Sequence, residues 1–188
     1  MLMNPYADTC QWLDAAHTVA LLPRVLAPAD GAALLAQHAR ALQRAEYRDD
    51  YVPDQRRSSA DVPLSLAAAL QPCLEALFAG PLTLRAARVQ AYGVGDFMVT
   101  HVDRTAIARG QVAVSVLLNA PPAFRGGARV CYDGQARMAL TSRFALWGDP
   151  VATVTGPAGS AVAFRVTVPH EVQPVTEGQR VSLTLYYD

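Results

Sequence analysis

The sequence predicts a mostly β protein, with a jelly roll over residues 82–188 and supporting α-helices within residues 1–81. Two contrasts carry that expectation. Before residue 81 apolar residues recur at helical spacing; after it, short runs rich in Val, Thr, Leu and Tyr alternate with Gly- and Pro-containing turns. Length sets the third bound. A chain of 188 residues can bury one sizeable core but is short for two, so a single domain over 1–188 is expected.

The first helix is expected over Gly31 to Ala45, a stretch rich in Ala and Leu. Pro28 suits the first helical position, and Asp30 in the first turn complements the helix dipole. The polar stretch from Glu46 to Asp61, with Arg56, Arg57, Ser58 and Ser59, reads as a mobile loop and the one segment able to form a lid. A second helix is expected from near Pro63, with Leu66, Leu70, Leu74, Leu77 and Phe78 on one stripe, ended by Gly80-Pro81. Strands are then expected at 82–92, 97–102, 112–119, 128–132, 142–147, 151–155, 161–166, 170–175 and 180–187. That many short strands suggest a jelly roll or another β-sandwich.

Composition removes several function classes. Sixteen basic residues balance sixteen acidic ones, so no basic excess exists to grip a phosphate backbone, and no nucleic-acid partner is expected. Every basic residue is arginine. Without lysine the chain can form no lysine Schiff base and no P-loop. Cys10, Cys73 and Cys131 have no paired spacing, which argues against a disulfide framework or a zinc-thiolate site. The N-terminus lacks the charged and apolar regions of a secretory signal, and the longest apolar stretch, Leu64 to Gly80, is broken by Gln71, Pro72 and Glu75. A soluble, cytoplasmic protein with no membrane partner is expected. Trp12, Trp147 and Cys131 read as packing residues.

The chemistry gathers in the β half. His101 and Asp103 are two residues apart in an expected strand, so imidazole and carboxylate share a face. His170 opens another expected strand. Two histidines and one carboxylate form a facial triad, which leaves three adjacent coordination positions open and suits non-haem Fe(II). An HxD pair alone occurs by chance in many proteins. The last strand adds weight: Arg180, Ser182 and Thr184 alternate with Val181, Leu183 and Leu185. An inward arginine needs an anion, and a guanidinium with hydroxyls beside it makes a carboxylate clamp. The competing expectation is an amphipathic strand with its polar face in water.

These blocks resemble the Fe(II)- and 2-oxoglutarate-dependent dioxygenase superfamily, in particular its prolyl 4-hydroxylase-like branch. Gln90-Ala91-Tyr92-Gly93-Val94-Gly95-Asp96-Phe97 before His101-Val102-Asp103 is similar to the strand leading to the first two iron ligands. Leu117-Leu118-Asn119 and Phe124-Arg125-Gly126-Gly127 are similar to the branch's L-N and Gly-Gly segments. Pro157 to Phe164, Pro169-His170-Glu171-Val172-Gln173-Pro174-Val175 and Gly178-Gln179-Arg180 complete the order. The resemblance spans residue 82 to the C-terminus and implies a double-stranded β-helix, the cupin-like form of jelly roll.

Carried over by position, the resemblance implies that His101, Asp103 and His170 hold Fe(II) and that Arg180 grips the distal carboxylate of 2-oxoglutarate. Tyr92, Ser182 and Thr184 match positions that support cosubstrate binding. Leu117 stands where some prolyl hydroxylases have a tyrosine. The implied chemistry consumes dioxygen and 2-oxoglutarate, with ascorbate as an accessory reductant, and hydroxylates an unactivated C–H bond. Asp103 favours hydroxylation, because the superfamily's halogenases lack that carboxylate.

The substrate expectation is a small molecule such as an amino acid or biosynthetic intermediate. The alternatives are a prolyl or other peptidyl residue, and a non-catalytic jelly-roll binding module. Arg88 shares a strand face with Tyr92, and Arg129 follows the Gly-Gly turn. If both point into the barrel, a carboxylate-bearing substrate would supply their anion. Otherwise both are solvated surface arginines.

Overall fold

A computed structural model describes residues 10–43, 46–49, 55–63, 70–103, 111–133 and 148–188. Helix α1 spans Pro28–Gln43, opens on the expected proline and carries Asp30 in its first turn. Helix α2 spans Gln71–Phe78. It stops where Ala79 turns left-handed and donates its N–H to the carbonyl of Glu75. Residues 64–69, where the second helix was expected to begin, lie outside the described residues.

The region before residue 81 is not helical throughout. It also contributes β1 (Gln11–Trp12), β2 (Val19–Leu22), β3 (Glu46–Asp49) and β4 (Gln55–Asp61). The stretch expected to be a mobile loop is thus largely a β-hairpin. Its sequence, Gln-Arg-Arg-Ser-Ser-Ala-Asp in β4, carries no apolar alternation. Ladder pairing on both edges holds the strand instead: Arg56 to Ser59 pair with β3 along one edge, and along the other Ser58 to Asp61 pair with one strand and Gln55 and Arg56 with another.

The remaining strands are β5 (Leu84–Tyr92), β6 (Phe97–His101), β7 (Val112–Leu117), β8 (Phe124–Gly126) and β9 (Arg129–Tyr132). They continue through β10 (Pro150–Val154), β11 (Ala161–Arg165), β12 (His170–Val172), β13 (Val175–Gly178) and β14 (Arg180–Tyr187). The expected strand at 170–175 is divided, because Pro174 has no N–H for the ladder. Its second part joins β8 in a separate ribbon. The strand expected at 142–147 lies outside the described residues.

One layer runs β2-β11-β7-β14-β5-β4 and the other β6-β12-β9-β10, with every pairing antiparallel. Because β4 pairs with both β5 and β6, the sheet curls round on itself as a jelly roll. On the outside of the first layer, Leu74 and Phe78 of α2 pack into one cluster with Val89, Val114, Val181, Leu183 and Leu185. Each such apolar side chain contributes about 1.5–3 kcal/mol by burial. The opposite face of that layer turns into the roll. All eight residues of β14 are therefore buried, polar and apolar alike.

Candidate active site

His170 on β12 lies directly across from His101 at the end of β6. Asp103 follows just past the end of β6, its N–H donated to the carbonyl of Val166 at 3.1 Å. The three side chains converge. Asp103 Oδ1 is 3.5 Å from His101 Nε2, Asp103 Oδ2 is 3.5 Å from His170 Nε2, and all three ligand atoms lie within 4.8 Å of one another. Each imidazole donates Nδ1–H to a backbone carbonyl, His101 to Val99 at 2.9 Å and His170 to Val168 at 3.0 Å. Those bonds select the tautomer whose Nε2 lone pair faces the shared point.

Electrostatics prepares the same atoms. Burial, with help from His101 and Arg129, pulls the His170 imidazole down to about 3, so it is neutral at physiological pH. Burial would raise Asp103, but His170, His101 and Arg129 together hold its carboxyl below the ordinary value. Two neutral imidazoles and one carboxylate are the donor set of a divalent metal centre.

Arg180 begins β14 and is 4% exposed. Its guanidinium donates to Ser182 Oγ at 3.0 Å and lies 5.6 Å from the centroid of the Tyr92 ring. Tyr92 and Thr184 both donate hydroxyl protons to Gln90 Oε1, at 3.4 and 3.1 Å. The polar face of β14 is thus buried inside the roll, which rules out an amphipathic strand facing water. The motif segments hold this strand in place. Asn119 donates to the carbonyl of Gln179 at 2.7 Å and accepts the N–H of Val181 at 2.8 Å, so it brackets Arg180. Gly127 has φ +62°, and a Cβ there would stand 2.9 Å from Arg180 Cδ.

The 2OG-Fe(II) oxygenase superfamily model matches residues 87–188, more than half of the chain. The chain belongs to the 2OG-Fe(II) oxygenase superfamily. No curated protein matches it significantly in sequence. Many solved structures share the fold. A Pseudomonas putida prolyl-4-hydroxylase is 21% identical with a TM-score of 0.68, covering 92% of this chain and 93% of that one. AviO1 from Streptomyces viridochromogenes Tue57 is 19% identical with a TM-score of 0.68, covering 100% and 96%. The carbocyclase SnoK from nogalamycin biosynthesis is 15% identical with a TM-score of 0.72, covering 97% and 85%.

The oxygenase uses Fe(II) and 2-oxoglutarate, and its site fits both groups. The His101, Asp103 and His170 ligand atoms form the one cluster of its kind among the described residues. A cavity is lined by Ser115, Leu117, Gly127, Arg129 and Arg180, among others. Arg129 links the two places. Its charge acts on Asp103 and His170 on one side and on Arg180 on the other.

Arg88 departs from expectation. It does share a face with Thr184, its register partner, but at the rim, where Asp61 of β4 lies directly across. The two pair at 2.8 Å with Arg88 half exposed. Its anion is Asp61, and the premise that Arg88 brings uncompensated charge into the pocket fails. Arg129, by contrast, is 4% exposed. Arg165 turns outward onto Phe78, 4.9 Å from its ring. Three inward polar residues escaped sequence reasoning: Arg57 and Gln90, both buried, and Tyr186. Burial and the Asp103 carboxylate push the Tyr186 phenol far up, so it stays a hydrogen-bond donor. Its place two residues beyond Thr184 on the alternating polar face was the available signal.

Proposed function

We propose that the oxygenase hydroxylates an unactivated C–H bond of a small molecule, with Fe(II) held by His101, Asp103 and His170 and 2-oxoglutarate held by Arg180. The observation that carries the site assignment is the convergence of two Nε2 atoms and a carboxylate within 4.8 Å, both imidazoles locked by backbone carbonyls. When bound, Fe(II) with 2-oxoglutarate and dioxygen supplies the oxidant for the C–H bond.

The chain's residues divide the work. His101, Asp103 and His170 would hold the metal and leave it open to cosubstrate and dioxygen. Arg180 orients the distal carboxylate with its planar fork. Tyr92 and Ser182 position that fork, one under the guanidinium and one accepting from it. Thr184 and Tyr92 are in turn held by Gln90. Phe164, whose ring centroid is 4.4 Å from that of His170, excludes water from one side of the metal site.

The small-molecule reading is supported by the hairpin β3–β4. Peptide substrates call for long free loops round a mouth, and the segment best suited by length is instead tied into the sheet. Peptidyl proline is the other substrate class, favoured by the likeness to prolyl hydroxylases. A succinate-release assay with Fe(II), 2-oxoglutarate and a panel of free amino acids, biosynthetic intermediates and prolyl peptides separates them. Stimulation by a free small molecule is expected; stimulation by prolyl peptides alone would overturn the reading.

A further inference from the structure

We infer that Arg129 is a second anchor for the distal carboxylate of 2-oxoglutarate, gripping it from β9 while Arg180 grips it from β14, with Ser115 as a further donor. This rests on the proposed cosubstrate role of Arg180 and extends it to Arg129 of the facing layer and to Ser115 of β7, the strand paired with β14.

Three observations meet in one cavity. Arg129, Arg180 and Ser115 all line it, from β9, β14 and β7 respectively. Arg129 and Ser115 are 4% and 5% exposed, yet Arg129 Nε and Ser115 Oγ have no hydrogen-bond partner among the described residues. Among the described residues no carboxylate lies within ion-pair distance of either guanidinium.

Two buried cations sharing one cavity repel each other, and a buried donor without an acceptor is costly. The Arg129 guanidinium does face the Phe164 ring, 5.7 Å from its centroid, but a ring face does not satisfy its N–H groups. The missing component is an anion with several acceptor lone pairs, small enough for the cavity. A carboxylate fits: one oxygen pair can meet two forks and a hydroxyl.

The cosubstrate rather than the substrate is assigned because Arg129 and Arg180 border the same space. A molecule whose carboxylate meets Arg180 there fills the room in front of Arg129. A substrate carboxylate would have to share that room with it.

The test is calorimetric titration of 2-oxoglutarate, and of its C5 monomethyl ester, into Mn(II)-loaded protein without substrate. Wild type, Arg129→Leu, Arg129→Lys and Arg180→Ala are compared. Arg129→Leu should weaken 2-oxoglutarate at least about tenfold while shifting the ester less than about threefold, and Arg129→Lys should recover part of the loss. In the metal- and cosubstrate-free protein, Arg129→Leu should melt at or above the wild-type temperature, because an unpaired buried charge has gone. Unchanged 2-oxoglutarate binding in Arg129→Leu, with binding lost in Arg180→Ala, would overturn this inference and leave the cosubstrate reading intact. Equal weakening of acid and ester would also overturn it, placing the effect away from the distal carboxylate. No 2-oxoglutarate binding by the wild type would overturn the cosubstrate reading itself. Should Arg129→Leu fail to fold, the acid-to-ester ratio of Arg129→Lys carries the same decision.

Discussion

His101 and His170 are register partners across β6 and β12, and each gives its Nδ1–H to the carbonyl two residues before it. The two Nε2 atoms therefore face one point by backbone geometry alone. Strand pairing sets the distance between the histidines, and the carbonyls set the tilt of the rings. A metal arriving there meets ligands that need little reorganisation.

Arg180→Ala should raise the apparent 2-oxoglutarate constant by at least about tenfold. Truncating one partner of a buried charge pair costs about 2–5 kcal/mol, and about 1.4 kcal/mol is tenfold. Arg180→Lys should recover part, since ammonium lacks the fork. Burial and neighbouring Arg129 pull Arg180 down only to about 10, so it stays charged at neutral pH. Steady-state kinetics with varied 2-oxoglutarate checks this; an unchanged constant in Arg180→Ala would remove Arg180 from the clamp.

Gly127→Ala should destabilise the fold and weaken the cosubstrate together. A Cβ at φ +62° is strained, and it would also meet Arg180 Cδ and Val175 Cγ2, each at 2.9 Å. The left-handed conformation alone costs about 1–2 kcal/mol. Gly80→Ala is the control, because nothing lies within 4 Å of its added Cβ. Urea unfolding should separate the two variants; equal midpoints would contradict the argument.

The metal-free protein should lose stability as pH falls from neutrality. His170 titrates at about 3 when folded, against about 6.5 in an unfolded chain. Between those values the unfolded chain binds a proton that the folded one refuses, so stability rises with pH across that window and flattens above it. One proton corresponds to at most about 1.4 kcal/mol per pH unit. Unfolding midpoints of the metal-free wild type and of His170→Gln at about pH 5 and about pH 6 check the sign. The slope should be smaller in the variant; equal slopes would assign it to other groups.

The sequence exposed those features whose signal is local. The alternation of Arg180, Ser182 and Thr184 with Val181, Leu183 and Leu185 is legible because β14 is a single strand buried on both faces. The HxD pair is legible for a similar reason, although Asp103 reaches the site from beyond the strand end. What stayed hidden depends on partners distant in sequence. β4 has no apolar periodicity and exists because β3 pairs along one edge and β5 and β6 along the other, so Arg57 within it read as loop. Arg88 lies on the expected face, but its neutralisation by Asp61 follows only from the β4–β5 register. Ser115 is a single hydroxyl in Val-Ala-Val-Ser-Val-Leu, and only the cavity in front of it distinguishes it from a packing residue.

The proposed iron site is tested most directly by equilibrium Fe(II) binding under anaerobic conditions, with wild type beside His170→Ala. His170 is buried and opposite His101, so removing its imidazole deletes one of three converging ligands without touching the other two. The account predicts one Fe(II) per wild-type chain and a loss of affinity of at least about tenfold in the variant. One equivalent of Fe(II) bound by His170→Ala with wild-type affinity would contradict it.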